Sequence, residues 1–426
     1  MRRHLAETFR SLTIRNYRLF AAGQLISLIG MWMQIVAVDW LVLQLSGDSG
    51  TALGLVTALQ FTPLLVLSLY GGKLADSFDK RKLLLWANTL WCAMAATLAA
   101  MTIAGTVQLW HVYVFAFSLG VVNAVENPVR QSFVSEMVGN ESLPNALSLS
   151  SATFNSARIV GPALAGGLIA LFGTGVVIAI NAATYAAPVV GLLLMDVAVL
   201  HRAAGKPAAA RIRDGLKYTT RRPDLMLPLV LMFVVAGVGF NFPVTLALMA
   251  KVVFATGPAT FGVLTAASAV GALAGALFSA KRRDRPSAHV LLGAAAAFGA
   301  LEIVVAFAPS LWTAALLLLP TGFAMVYVAQ AANQRVQLGV VPAFRGRIMS
   351  IYVLVFLGSA PLFAPAIGWI SEVVNPRAGL WIGGAASLAA AAVGFAIRCR
   401  RRDVHVVFKL RPVPRLRLSQ PLEKVA

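Results

Sequence analysis

The sequence predicts an all-α membrane protein of twelve transmembrane helices in two six-helix bundles. Three observations carry that expectation. Of its 426 residues 59% are hydrophobic and 12% charged, whereas soluble globular chains run near 45–50% apolar and about 25% charged. Apolar runs of about 20 residues, the length that crosses a bilayer, recur twelve times along the chain. Of 36 lysines and arginines, 33 fall at or near one alternating set of loops, the sidedness that orients a polytopic protein with its basic loops in the cytoplasm.

The first six spans are read at 18–45, 52–71, 83–104, 110–137, 145–172 and 174–196. The second six fall at 225–250, 260–280, 288–307, 311–336, 346–372 and 378–398. Gly, Pro and polar residues interrupt many of them, as lipid-embedded helices tolerate when neighbours satisfy the freed backbone groups. The domain reading follows: a bundle at 1–196 with a cytoplasmic N-terminus, a basic amphipathic linker at 197–224 on the membrane surface, a bundle at 225–398 and a basic tail at 399–426 without regular structure. The N-terminal MRRHLAETFRSLTIRNYR has no apolar core followed by a cleavage site, so the first span is expected to be retained.

The formal charge of +20 is therefore first a topogenic signal. Its bases sit in short clusters between apolar runs instead of on one soluble face, which argues against a nucleic-acid partner. They also attract anionic lipid headgroups. Cys92, inside an apolar run, and Cys399, in the tail, offer neither a disulfide framework nor a metal spacing. No cofactor or metal is expected, and the chain carries no Walker loop, HExxH or GxSxG constellation, so neither an enzyme nor an ATP-driven pump is implied.

The halves repeat. At an offset of 208, Gly54, Thr57, Lys73 and Asp76 lie over Gly262, Thr265, Lys281 and Asp284. At an offset of 207, Asn123, Glu126, Asn127 and Arg130 lie over Gln330, Asn333, Gln334 and Gln337, amides replacing acid and base. Internal duplication of this kind is a transporter signature.

After the second span comes GGKLADSFDKRKL, Gly71 to Leu83. A tight Gly turn there brings an acid and two bases to adjoining helix ends, where a helix N-terminus favours Asp76. The string resembles the signature of the major facilitator superfamily, Gly-x-Leu-Ala-Asp-Arg-x-Gly-Arg-Arg. Gly72, Leu74, Ala75, Asp76, Lys80 and Arg81 match, with Ser77 and Asp79 in place of the usual Arg and Gly. The resemblance implies a conformational latch at Gly72, Asp76, Lys80 and Arg81, with a weaker copy at Asp284.

Span 4 places Asn123, Glu126, Asn127 and Arg130 at i, i+3, i+4 and i+7, hence on one face. Ionisable groups at depth cost at least about 2.5–3.5 kcal/mol each and line cavities or pair with one another. Glu126 and Arg130 are an i, i+4 pair, and Glu126 is also a proton-coupling candidate. The Asn-Pro-x-Arg-Gln string and the following LPNALSL resemble the superfamily branch of enterobactin exporters and macrolide-efflux permeases, over about Phe20 to Arg398.

Span 5 carries Ser148, Ser151, Asn155 and Arg158 on one face, then Gly161-Pro162 and Gly166-Gly167. The glycines and proline are similar to the helix-5 hinge of superfamily antiporters, with one extra residue between the pairs. Arg158 needs an anion, either Glu126 or an anionic substrate. In span 1, Gln24, Ser27 and Gln34 share a stripe, and Asp39 lies roughly 140° round from Gln34. An acid flanked by Val38 and Trp40 is desolvated, which makes Asp39 a second proton-carrier candidate. Asn241 on span 7 and Gln330, Asn333, Gln334 and Gln337 on span 10 complete the candidate substrate cavity. Glu302, on span 9, has no assigned role and is expected to turn inward or to be protonated.

Taken together, the resemblance implies a monomeric bacterial inner-membrane transporter that exports an amphipathic drug or siderophore by proton antiport and alternating access. Proton coupling would lie in the first half and substrate reading in the second. A lipid or lysophospholipid flippase, and a non-transporting sensor on a transporter fold, stand as alternatives.

Overall fold

The computed structural model describes residues 9–201, 218–220, 222–282, 284–402, 405–409 and 415–419. Among them, eleven helices are long and apolar enough to cross a membrane. One of these, Glu141–Leu193, has 53 residues, about 80 Å of helix and more than twice the hydrocarbon thickness. It breaks at Gly173, where φ is +81°, and so supplies two crossings, which makes twelve. A second break at Gly139, φ +67°, separates it from the helix before. Only glycine adopts this left-handed backbone without a Cβ penalty.

The first bundle comprises α1 (Arg15–Ser46), α2 (Gly50–Ser77), α3 (Lys80–Ile103), α4 (109–138), α5 (140–172) and α6 (174–193). The second comprises α7 (Pro223–Val253), α8 (Pro258–Ala280), α9 (Ala288–Ala306), α10 (Leu311–Gln337), α11 (Pro342–Val373) and α12 (Ala378–Arg402). Each overlaps a span expected from hydropathy. One difference is that α2 continues through Gly71–Asp76 to Ser77, so the motif forms the last turns of a helix and not a loop. Leu74 and Ala75 are good helix formers, and the chain turns only at Asp79, which accepts from Lys82 N at 3.1 Å and so caps α3.

The helix α7 is the least regular of the twelve. A π-turn at Val235–Gly239 precedes a short helical segment, Phe242–Leu248, and a second π-turn, Met249–Val253. Pro243 lacks the N–H that Gly239 O would accept. Asn241 repairs part of the break, its Nδ2 donating to Gly237 O at 2.7 Å and Val238 O at 3.0 Å.

Small residues set the helix packing, as expected where no water drives association. Within the first bundle, an added Cβ at Gly23 of α1 would lie 2.8 Å from Pro188 Cα of α6. Between bundles, Gly50 and Gly54 of α2 press against Gly368 and Ala364 of α11, and a Cβ on Gly262 of α8 would lie 2.5 Å from Pro162 O of α5. These contacts sit at the start of α2 and α8 and the end of α5 and α11, the end of the molecule away from the Arg/Lys clusters. At the basic end, the ties among described residues stay within one bundle, as in Arg10–Glu141, Lys80–Glu136 and Arg285–Asp224. The two bundles are thus closed on each other at the far end.

Of the linker, 202–217 lies outside the described residues. Within the tail expected to lack regular structure, His405–Lys409 (β1) pairs antiparallel with Arg415–Ser419 (β2). Alternating apolar and polar residues, as in Arg415-Leu416-Arg417-Leu418, fit that pairing.

Candidate functional site

A cavity of about 470 Å³ lies between the bundles, walled by aromatic side chains from both: Trp32 of α1, Phe61 of α2, Phe154 of α5, Phe240 of α7, Phe261 of α8 and Phe356 of α11. A second, of about 250 Å³, opens within the first bundle and shares Trp32, Ile35, Phe61 and Phe154 with the first, so the two adjoin.

The face of α4 expected from sequence lines the smaller cavity, with Asn123, Glu126, Asn127 and Arg130 all present beside Gln24 and Ser27 of α1. Glu126, 3% exposed, pairs with Arg130 Nε at 2.9 Å, and Arg130 Nη2 donates to Asn127 Oδ1 at 2.9 Å. The acid is therefore neutralised by its own helix. It is not the partner of Arg158.

Arg158 lies in the wall of the larger cavity, its guanidinium 5.6 Å from the centre of the Trp32 ring. A cation on an indole face gains about 0.5–2 kcal/mol, but no carboxylate pairs with Arg158 among the described residues. Asp39 faces the same cavity, 7% exposed, with Oδ2 sealed from solvent and unpartnered. Gln34 does not face it. Instead it is buried and accepts from Asn181 Nδ2 of α6 at 2.5 Å. Gly23, Gly30 and Gln34 share the side of α1 that packs on α6, while Trp32, Ile35 and Asp39 share the cavity side.

Other candidates are placed differently from expectation. Asn155 returns its Nδ2 to Ser151 O at 2.8 Å and lines neither cavity. Asn241 does line the larger one. The α10 amides line neither: Gln330, Asn333 and Gln337 fall on the face of Val326, one to three turns nearer the basic end, and Gln334 Nε2 donates to Ser279 O at 3.3 Å.

The latch residues tie the first bundle to itself. Lys80 Nζ meets Glu136 of α4, and Arg81 donates from Nε to Leu192 O at 2.6 Å and from Nη2 to Leu193 O at 3.3 Å, capping α6. Gly72 and Asp76 fall in the last turns of α2, and the side chain of Asp76 lies outside the described residues. In the second bundle Asp284 is exposed. There the tie runs from Arg285 to Asp224 at 2.9 Å and to Arg335 O at 3.1 Å. In α5 the backbone stays helical through Pro162. Gly161 admits Trp32 of α1, a Cβ at Gly166 would lie 2.9 Å from Ala259 Cα of α8, and Gly167 faces open space.

The far-end closure was missed by sequence reasoning altogether. Lys251 Nζ of α7 meets Asp48 Oδ1 at 2.5 Å, joining the bundles. Glu372 Oε2 of α11 accepts from Ser49 Oγ at 2.7 Å, Thr51 Oγ1 at 2.7 Å and Thr51 N at 3.0 Å, so an acid from the second bundle caps the N-terminus of α2 in the first. The signal available was that Lys251 is one of the three bases that fall outside the basic set of loops.

Comparison with known proteins fits this architecture. The family described as transmembrane secretion effector, a branch of the major facilitator superfamily, matches residues 6–424. The chain is 29% identical over 154 residues to a staphyloferrin A transporter of Staphylococcus aureus, 36% of this chain and 38% of that protein, so it spans well under half that relative's length. It is 27% identical over 365 residues to the multidrug efflux pump Tap of Mycolicibacterium fortuitum, 82% of this chain and 87% of that protein. A bacterial homologue of the human lysosomal transporter Spinster, solved inward-facing and occupied, superposes with a TM-score of 0.67 at 16% identity, over 94% of this chain and 99% of that one. Twelve helices in two bundles, a cavity between them and a family match over nearly the whole length make this chain a multi-pass membrane transporter, not an enzyme, belonging to the transmembrane secretion effector family of the major facilitator superfamily.

Proposed function

We propose that this transporter exports an amphipathic small molecule of the drug or siderophore type, in exchange for protons, across a bacterial inner membrane, acting as a monomer with both termini cytoplasmic. The observation that carries the reading is the aromatic cavity between the bundles, lined by an acid, Asp39, and a base, Arg158, neither of which has an ion-pair partner among the described residues. Aromatic walls suit an apolar body, and few convergent polar groups suit orientation. Asp39 takes and releases the proton, Arg158 holds a substrate anion, and Glu126 is the second titratable group beside the cavity.

With the basic end taken as cytoplasmic, as the sidedness of the bases supports, the closed far end lies outside and the cavity faces the cytoplasm, ready to load cargo for export. Alternating access then requires the Asp48–Lys251 and Glu372 contacts to break while the basic end closes. The names of the relatives support drug or siderophore cargo. An apolar groove of about 700 Å³ between α7 and α12 shares no lining residue with the central cavity, which favours a small-molecule route over a lateral lipid route.

The test is the drug-susceptibility and secreted-metabolite profile of a deletion strain, complemented by wild type, Asp39→Asn and Glu126→Gln. Everted vesicles supply the second arm, with a fluorescent drug driven by an imposed pH gradient. Wild type restores export and gradient-driven uptake, and both variants lose the dependence on the gradient. Full gradient-driven transport by both variants overturns the proton-coupling assignment.

A further inference from the structure

The second bundle contains a buried acid that the central cavity does not use. Glu302 of α9 is 1% exposed, and its Oε2 is sealed from solvent without a hydrogen-bond partner. Ser387 Oγ of α12 is likewise sealed and unpartnered. The two converge on Gly239, the last residue of the π-turn in α7: an added Cβ there would lie 3.1 Å from Glu302 Oε2 and 3.2 Å from Ser387 Oγ. From the other side, a Cβ at Gly383 of α12 would lie 2.8 Å from Glu302 Oε1 and 3.0 Å from Val238 O. The carboxyl group is thus enclosed by two glycines and a hydroxyl at the break in α7. Sealed from solvent and without a hydrogen-bond partner at Oε2, the group suits a neutral acid better than a carboxylate, which would demand water or a counter-charge.

Among the described residues no counter-charge faces it. From α7 the facing groups are Val238 O and Gly239, from α12 Gly383 and Ser387, and from α9 itself Phe298. The ionisable side chains of the surrounding helices are engaged elsewhere. Lys251 of α7 meets Asp48, Tyr327 and Arg335 of α10 contact Arg282 and Pro286 O at the basic end, and Arg377, just before α12, donates to Ala306 O and Ala308 O. His289 lies at the basic end of α9, and the arginines of α12 begin at Arg398. A charged group in such a place marks function by default.

Pro243 withholds a donor from Gly239 O, and Asn241 already occupies Gly237 O and Val238 O. A protonated carboxyl supplies a donor beside a break that lacks one. Beyond the break, 242–253 ends at the far-end closure. From residue 242 to Lys251 is about 14 Å at helical rise, so a tilt of about 10° moves the ammonium group by about 2.4 Å, enough to part it from Asp48.

From this geometry we infer that Glu302 is a proton-binding site of the second bundle, whose occupancy sets the bend of α7 at Gly239 and, through it, the Lys251–Asp48 contact at the far end. With the proton bound, the acid packs neutral against Gly239 and Gly383, α7 keeps its bend and the far end is closed. When the proton leaves toward the cavity, along the Phe240–Asn241 stretch that lines it, the bare carboxylate draws water, α7 separates from α9 and α12, and Lys251 lifts away. This rests on the alternating-access reading but on no particular cargo.

The experiment measures the distance between spin labels at Gln44→Cys of α1 and Val374→Cys after α11, with Cys92 and Cys399 replaced by Ser, in the full-length protein in lipid nanodiscs across a pH series. In the otherwise wild-type protein the closed, short-distance population rises as pH falls, by up to about tenfold per pH unit for one proton. Glu302→Gln stays closed throughout. Glu302→Asp, which keeps an acid but draws it back by one methylene, shifts the midpoint, and it carries the test if the Gln variant does not fold. If wild type and the folded Glu302 variants titrate alike, the Glu302 assignment is wrong and alternating access stands. A wild-type distance that responds to added drug but not to pH also overturns the Glu302 assignment alone. A distance that never changes overturns both.

Discussion

Glu372 of α11 and Thr51 of α2 are joined twice, through Thr51 N at 3.0 Å and Thr51 Oγ1 at 2.7 Å, and both bonds end on the same carboxylate oxygen. Ser49 Oγ adds a third at 2.7 Å. Asp48–Lys251, and the same ammonium group over the Trp40 ring at 5.6 Å, add to these ties across the far end among the described residues. Their weights differ in number of bonds: both sites are partly or wholly exposed and screened, so each contact contributes about 0.2–1 kcal/mol, but three bonds end on Glu372 against a single ion pair at Asp48. Glu372 is therefore the stronger lock.

Removing it should open the far end. With a cysteine at Thr265 in the cavity wall, Glu372→Ala is expected to raise labelling by an impermeant maleimide from the far side roughly tenfold, corresponding to about 1.4 kcal/mol. Asp48→Asn should raise it only about twofold, in line with its weaker pair. Equal labelling of Glu372→Ala and wild type would show that the apolar helix contacts alone keep the end closed.

The glycines beneath these ties make an independent prediction. Gly262→Val puts a side chain where even a Cβ would lie 2.5 Å from Pro162 O, so α5 and α8 cannot close. Transport should be abolished and far-side labelling at Thr265→Cys should become constitutive. Gly167→Ala has open space within 4 Å and should transport normally, despite belonging to the same helix-5 motif. A transporting Gly262→Val variant would mean that this crossing is not a gate.

Much of this architecture was legible because bilayer crossing is a property of local composition: twelve spans and one-sided bases need no long-range information. The α4 face was legible for the same reason, since Asn123, Glu126, Asn127 and Arg130 share a helix and so keep their relative directions in any fold. On α1 the pattern misled. Gln24 and Gln34 looked like one polar stripe and Asp39 an outlier, yet Gly23 and Gly30 turn the Gln34 side toward α6 and leave Asp39 in the cavity. Which side of a helix meets its neighbour depends on where backbones approach, and that is decided by residues far away in sequence. The far-end closure is the extreme case. Ser49 and Thr51 find Glu372 only when two bundles meet.

The α4 pair predicts a pattern in stability. Breaking a buried pair by removing one partner costs about 3–5 kcal/mol because the remaining charge is left uncompensated. Glu126→Gln strands Arg130, only 26% exposed at its side chain, so its unfolding midpoint in detergent should fall by several degrees. The double variant Glu126→Gln/Arg130→Met should recover most of that loss while remaining inactive in gradient-driven transport. If the double variant is no more stable than the single, the charges are hydrated in the cavity and do not act as a pair.

Arg158 predicts a pattern in specificity. Its guanidinium is held against the Trp32 ring at 5.6 Å and meets no carboxylate among the described residues, so the anion it lacks is left for the cargo to supply. An anionic ligand in this aromatic-walled cavity gains charge-assisted bonds of about 1.5–3 kcal/mol, or roughly 10- to 100-fold in affinity. Arg158→Met should lose that factor for anionic fluorescent drugs while binding cationic dyes at least as tightly as wild type, since a repelling charge has gone. Arg158→Lys should recover only part, because an ammonium group neither stacks on Trp32 as a plane nor offers a bidentate fork. Titration of purified protein with one anionic and one cationic probe of similar size separates these outcomes. Equal loss for both probes would instead identify Arg158 as a packing element of α1 and α5.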